Sequence, residues 1–350
     1  MRLLKPVSLF PTLAVLLCLG LLILLSGCGG SESASPFPGG ALFALSPTQT
    51  SVSRYSLSSG PLTPNLFTTG AQPMDLALRL GKAYVLDAAT RSLQVFTTAD
   101  GVPLGNVPLG DNAVPVRVLP YVDTVAYVTD SGTGSLLIVD PKAGTLTRQI
   151  ALGGTPTAMA ITLSKIYVTN TQYDPVAQTY GQGTVSVVST ATDNTVLNTI
   201  SVGSVPLAIV ADTSGSVDVL CAGAGGEAAS QVYHINGRYD VIIGAPVALG
   251  GHAVDLALGE DKRVYAPASA SAGLGTSAGV IVYDWETGAL VRGGDNPIAV
   301  GPDPISAVAL SGKRVAVADR TTGEVHLINE TLAASLLTTF PPQITRLAAE

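Results

Sequence analysis

Residues 165–170 read KIYVTN, and residues 184–206 read TVSVVSTATDNTVLNTISVGSVP. The first run sets a tyrosine among β-branched residues. The second gives two more such runs on either side of a turn and closes on Gly-x-x-Pro. Short runs rich in Val, Ile, Thr and Tyr, bounded by Gly, Pro, Asn and Asp, read as strands. The unit recurs along the chain. Tyr84, Tyr127 and Tyr265 sit in KAYVLD, VAYVTD and RVYAPA, and SVDVLC around Asp218, RVAVAD around Ala316 and ALFALS around Phe43 are degenerate copies.

All copies but the first follow another strand, usually led by proline. These strands start at Pro73, Pro115, Pro156, Pro206, Ala253 and Pro304, spaced by 42, 41, 50, 47 and 51 residues. Proline is tolerated at the head of a strand, where its missing N–H need not pair. A third run (LQVF, LLIV, VSVV, VYHI, VIVY, VHLI) and then a fourth complete each unit. Four short strands in every 40 to 50 residues mark a β-propeller. A sandwich would show single strands without this longer period. The YVTN and YVTD motifs and the closing VGSVP resemble the YVTN family of β-propeller repeats, most closely from Pro73 to Pro206. That resemblance implies the fold and leaves function open, since related propellers serve unlike roles.

The unit from about Gly40 to Ala71 lacks a first strand, whereas PPQITRLAAE at the C-terminus offers one with nothing after it. Residues Gln343 to Ala349 are therefore expected to complete blade 1. The expectation is an all-β, seven-bladed propeller of four-stranded antiparallel blades, spanning residues 41–350 and closed by the C-terminal strand.

The front end reads differently. Arg2 and Lys5 precede the apolar run from Leu13 to Leu25, which is followed by small residues. This is the layout of an export signal, and the run is short for a membrane span of about 20 residues. Leu25-Ser26-Gly27-Cys28 resembles the lipobox of bacterial lipoproteins. The resemblance implies removal of residues 1–27, acylation of Cys28 and a cell-envelope location. Gly29 after the cysteine fits the outer membrane. Residues 28–40 (CGGSESASPFPGG) read as a flexible tether.

Cleavage would move the net charge from −7 to −9, which argues against binding nucleic acid through phosphates. With Cys18 lost and Cys28 acylated, Cys221 has no partner for an internal disulfide. No Walker loop, nucleophile elbow, zinc motif or haem-attachment motif occurs, so no cofactor, metal site or catalytic set is assigned. His234, His252 and His326 lie in different blades and read as structural or surface residues. The single Trp285 argues against quinone-cofactor propellers, which the tryptophan-rich repeat would mark.

Two features stand out. Aligning the innermost strands places Asp75, Arg117, Ala158, Ala208, Asp255, Ser306 and Arg346 at one level of the channel. Arg346, Asp75 and Arg117 then fall on consecutive blades, as a charge-paired plug or a ligand site. Secondly, the connections between second and third strands are long in three adjacent blades: TQYDPVAQTYGQG, AGAGGEAAS and SASAGLGTSAG. The first carries Tyr173, Asp174 and Tyr180, side chains suited to recognition. The functional expectation is a lipid-anchored binding or scaffold module for a protein or envelope partner. The alternative is an envelope hydrolase or oxidoreductase, such as a lactonase-like propeller, working at the channel mouth.

Overall fold

The tyrosine-bearing runs are strands buried along almost their whole length: Lys82–Asp87, Val125–Asp130, Lys165–Thr171 and Arg263–Ser269. Each is the second strand of its sheet and is covered by a neighbour on both faces, which explains the nearly continuous apolar character. The structure, a computed structural model, describes residues 40–174, 176–191, 194–223 and 229–350. Residues 1–27, read above as an export signal, Cys28 and all of the expected tether except Gly40 lie outside them.

The strands form seven antiparallel blades, and the chain is a β-propeller. Blade 2 runs outward through Pro73–Arg79, Lys82–Asp87, Ser92–Thr97 and Pro103–Pro108. Blades 3, 4 and 7 repeat this order from Pro115–Val122, Thr155–Thr162 and Pro304–Leu310. Blade 1 combines Ala41–Ser46, Ser51–Ser56 and Leu62–Thr68 with Arg346–Ala349 as its innermost strand. The C-terminus therefore closes the ring, pairing Leu42 with Ala349 and Leu45 with Arg346.

Two blades depart from regularity. In blade 6 the innermost strand is broken into His252–Ala253 and Ala257–Leu258. Pro267 on the facing strand accepts from the Val254 N–H at 2.9 Å but has no N–H to return, so the ladder lapses beside it. In blade 5 the outer strand is split into Val241–Ile242 and Val247–Ala248.

Apolar packing lies between blades rather than within them. One buried cluster joins Tyr84, Leu93 and Val95 of blade 2 to Val118, Val128 and Leu137 of blade 3. Another joins Ala316 and Val325 of blade 7 to Leu42 and Leu347 of blade 1, so the closing seam is packed like the rest. The repeat tyrosines fill these seams. Tyr167 donates its hydroxyl to the Asp240 carboxylate of blade 5 at 2.6 Å. Burial first, and then that carboxylate, push its pKa far up.

The Gly-x-x-Pro closure has a polar cause. Asp87, fully buried at the end of its strand, accepts from the N–H of Gln72 (2.8 Å) and from the N–H and hydroxyl of Thr90 (both 2.7 Å). Its carboxylate thus ties the incoming connection to the next turn. A Cβ on Gly70 would lie 2.3 Å from that carboxylate, and one on Gly301 would lie 2.5 Å from the equivalent Asp319. Glycine is the residue that leaves room for such an approach.

Candidate functional site

The innermost strands carry a recurrent irregularity. In blades 2 to 5 and 7 an extra residue bulges near the leading proline, between Pro73 and Asp75 or Pro115 and Arg117, for example. A bulge re-aims the side chains beside it. Here Asp75 reaches the next blade, where its carboxylate accepts the Val118 N–H at 2.9 Å. Asp255 meets the Ala307 N–H at 3.3 Å, and Ser306 accepts the Leu347 N–H at 3.2 Å. These side chains staple three seams at one level.

The four channel charges named from the sequence come together. Asp75 lies 3.3 Å from the Arg117 guanidinium and 3.3 Å from Nε of Arg346, the latter as an ion pair without hydrogen-bond alignment. Arg346 reaches past Ser306 to Asp255 at 3.2 Å. Burial works against the Arg346 charge, but Asp255 and Asp75 outweigh it and hold its pKa above the ordinary value. Ala158 and Ala208 leave a cavity of about 240 Å³ beside the network. Its two carboxylates and two guanidiniums are committed to one another.

The blade 4 connection folds into a small hairpin, Tyr173–Asp174 against Thr179–Tyr180. The two tyrosines face each other across it with ring centroids 4.9 Å apart, and remain 47% and 42% exposed. Asp174 accepts the N–H groups of Val176 (2.8 Å) and Ala177 (3.0 Å), which hold its pKa below the usual carboxylate range. Its carboxylate builds the hairpin turn.

One cluster was not singled out from the sequence. Asp218, buried in blade 5, meets Nδ1 of His234 with one oxygen and accepts the Tyr283 hydroxyl of blade 6 at 2.7 Å with the other. Trp285 packs edge-on to His234, ring centroids 5.8 Å apart. A cavity of about 310 Å³ opens over this group between blades 5 and 6. The signal in the sequence was Asp218 itself, which stands where four other blades carry tyrosine. Elsewhere, His326 pairs with Glu324 at 3.2 Å. Cys221 is buried, and its thiol pKa is pushed up to about 12 by that burial. No group of three or more metal-ligating side chains occurs among the described residues.

With this geometry in hand, likeness to known proteins reaches the fold alone. No protein-family model matches the sequence, and no curated protein does. Among solved structures, a streptogramin B lyase superposes with a TM-score of 0.61 at 12% identity, over 79% of this chain and 86% of that one. A hydrazine synthase of Kuenenia stuttgartiensis gives 0.62 at 14%, over 91% and 99%. The computationally designed Ika8 protein gives 0.59 at 14%, over 89% and 92%. A lyase, a synthase and a designed protein share only the architecture, so the site must be argued from its own residues.

Proposed function

We propose that the protein is a binding or scaffold module held at the bacterial envelope by lipid on Cys28, and that it receives a protein or envelope partner on the blade 4 rim. The observation that carries this reading is the tyrosine hairpin. Two exposed aromatic rings are set against each other before any partner arrives, so little side-chain freedom is lost on binding. Asp174 contributes by fixing the turn that presents them. The alternative of an enzyme working at the channel mouth has less support, because the channel charges neutralise one another instead of leaving an acid or base free.

Replacing both Tyr173 and Tyr180 with alanine tests the reading. The expected result is lost partner recovery after crosslinking in native membranes, with an unchanged melting temperature. Retained recovery with a lowered melting temperature would make the hairpin a structural cap. The anchor is tested separately. Cys28→Ser should move the protein from the detergent-extracted membrane fraction to the soluble one, and unchanged fractionation without an acyl mass on the N-terminal peptide would refute lipidation.

A further inference from the structure

The cleft between blades 5 and 6 arises from a local failure of the repeat. Five blades insert one extra residue where the outer strand passes the third strand. Blade 5 inserts two: four residues, Ile243 to Pro246, stand opposite Tyr233 and His234. Blade 1 also inserts two, but there Asn65 ties the extra chain down through Ser51 (2.7 Å) and Ser53 (3.0 Å). In blade 5 Pro246 has no N–H, and the N–H groups of Gly244 and Ala245 find no acceptor among the described residues. The strand bows away and leaves the imidazole of His234 under an opening.

We propose that this opening is a binding site for a small uncharged molecule with an apolar body and one carbonyl oxygen, such as an amide, ester or lactone, held by Nε2 of His234. The site lies apart from the blade 4 hairpin and does not depend on its role. The cavity, at about 310 Å³, falls at the lower end of the about 300–1,000 Å³ found for small-molecule sites. Val232, Ile243, Val247 and Trp285 supply apolar walls. At its base Asp218 is fully used, by Tyr283 and by Nδ1 of His234, which fixes the ring and leaves Nε2 and the indole N–H of Trp285 as the polar groups of the cluster without a partner among the described residues.

Charge selects the ligand class. His234 and Asp218 compensate each other. The adjoining depression and rim add Asp212 and Glu286 against Lys262 alone, so carboxylates outnumber cations and an anionic ligand is disfavoured. An amine would meet the imidazolium. A neutral carbonyl accepts from Nε2–H without either cost.

The same geometry gives the pH dependence. The hydrogen bond to Asp218 raises the pKa of His234 above 6.5, with burial opposing it and the charges of Asp218 and Asp212 adding to it. The other titratable groups around the ring are Tyr283, Glu286 and Lys262. Below that pKa Nε2 carries a proton and donates. Above it Nδ1 keeps its proton for Asp218 and Nε2 turns acceptor, so a carbonyl is released as the pH rises through the folded-state value.

Trp285 is the only tryptophan in the chain, so its fluorescence reports on this cleft and the depression adjoining it. The full-length protein is titrated with N,N-dimethyl-3-phenylpropanamide, which has a carbonyl and no N–H, and with 3-phenylpropanoate, 3-phenylpropylamine and propylbenzene between about pH 5 and pH 9, the range across which a histidine switches. The amide should give a saturable change. Its affinity should exceed that of the other three by about tenfold, the worth of one hydrogen bond to a charged donor, and should fall as the pH rises. His234→Leu, which has no N–H to donate, should abolish that preference. Ala245→Phe, on the exposed rim, should block all four ligands while leaving the fold intact, and stands in should the histidine variant not fold. No saturable change with the amide, a different order of affinities, tighter binding at high pH, or unaltered binding to Ala245→Phe would each overturn the proposal.

Discussion

Blades 2, 3 and 7 end their second strands on a buried aspartate, whereas blades 4, 5 and 6 have Asn170, Cys221 and Ala268 at that place. In the first group the carboxylate ties two pieces of chain together. Asp130 accepts the N–H groups of Val114 (2.7 Å) and Gly132 (3.0 Å) and the Thr133 hydroxyl, and Asp319 accepts from Asp303 (2.6 Å) and Thr322 (2.8 Å). The connection to the third strand then stays short. In the second group no carboxylate is there to hold the turn, and Asn170 sends its amide to Ser186 at 3.0 Å instead. These are the three blades with long connections, and they hold the tyrosine hairpin, the cleft and the broken strands. Where the repeat keeps its polar tie the propeller is a scaffold, and where the tie is absent it acquires surface detail.

The severest way to break this comparison is to open the ring, because regular and irregular blades alike depend on it. Deleting residues 343–350 removes buried Ile344 and Leu347, worth about 1.5–3 kcal/mol each, and uncovers the edge of Ala41–Ser46. The expected outcome is aggregation, or no cooperative melting transition. A truncated protein melting within a degree or two of the parent would show that the last strand is dispensable.

A sharper test sets one tie against its counterpart. Asp130→Ala should cost about 3 kcal/mol, since it removes a buried carboxylate that accepts from two backbone N–H groups and the Thr133 hydroxyl, and hydrogen bonds to a charged group are the stronger kind. Asn170→Ala should cost about 1 kcal/mol, as it breaks neutral contacts from one amide to Ser186, Val168 and Thr184 but also removes an amide oxygen buried without a partner. Urea denaturation of both variants measures the difference, and equal losses would erase the distinction between the two groups of blades.

Removing a channel charge should have a comparable or smaller effect. Asp75→Ala leaves Arg346 and Arg117 close together without their shared carboxylate, and a loss of about 1–4 kcal/mol is expected because the guanidiniums retain some contact with solvent. The loss should shrink as salt is raised. An unchanged midpoint for Asp75→Ala and for Arg346→Ala would mean that the network contributes nothing to stability. The smallest effect belongs to the rim: the double tyrosine variant should melt with the parent, since both residues lie exposed on a hairpin outside the blade cores.

Much of this was legible in the residues. Period and strand composition gave the blades, the incomplete first unit and orphan last strand gave the closure, and alignment of the innermost strands put Asp75, Arg117, Asp255 and Arg346 on one level. The cleft was not. Its members meet across 16 and 65 residues and from two blades, and His234 read only as a structural or surface residue whose partner was invisible. A buried acid in a tyrosine's place demands a partner, and that demand could have been read from Asp218. The broken strand of blade 6 was also missed, because the effect of Pro267 falls on the strand facing it.

Closure by Arg346–Ala349 also sets an order of events in the making of the protein. The partners of Leu42 and Leu45, Ala349 and Arg346, are made about 300 residues later. At about 5–20 residues per second, roughly 15 to 60 s separate the two halves of blade 1. Throughout that interval Ala41–Ser46 presents an unpaired edge and an apolar face to whatever is nearby, including other nascent copies. Any cell that makes this chain must shield this strand until its partner arrives.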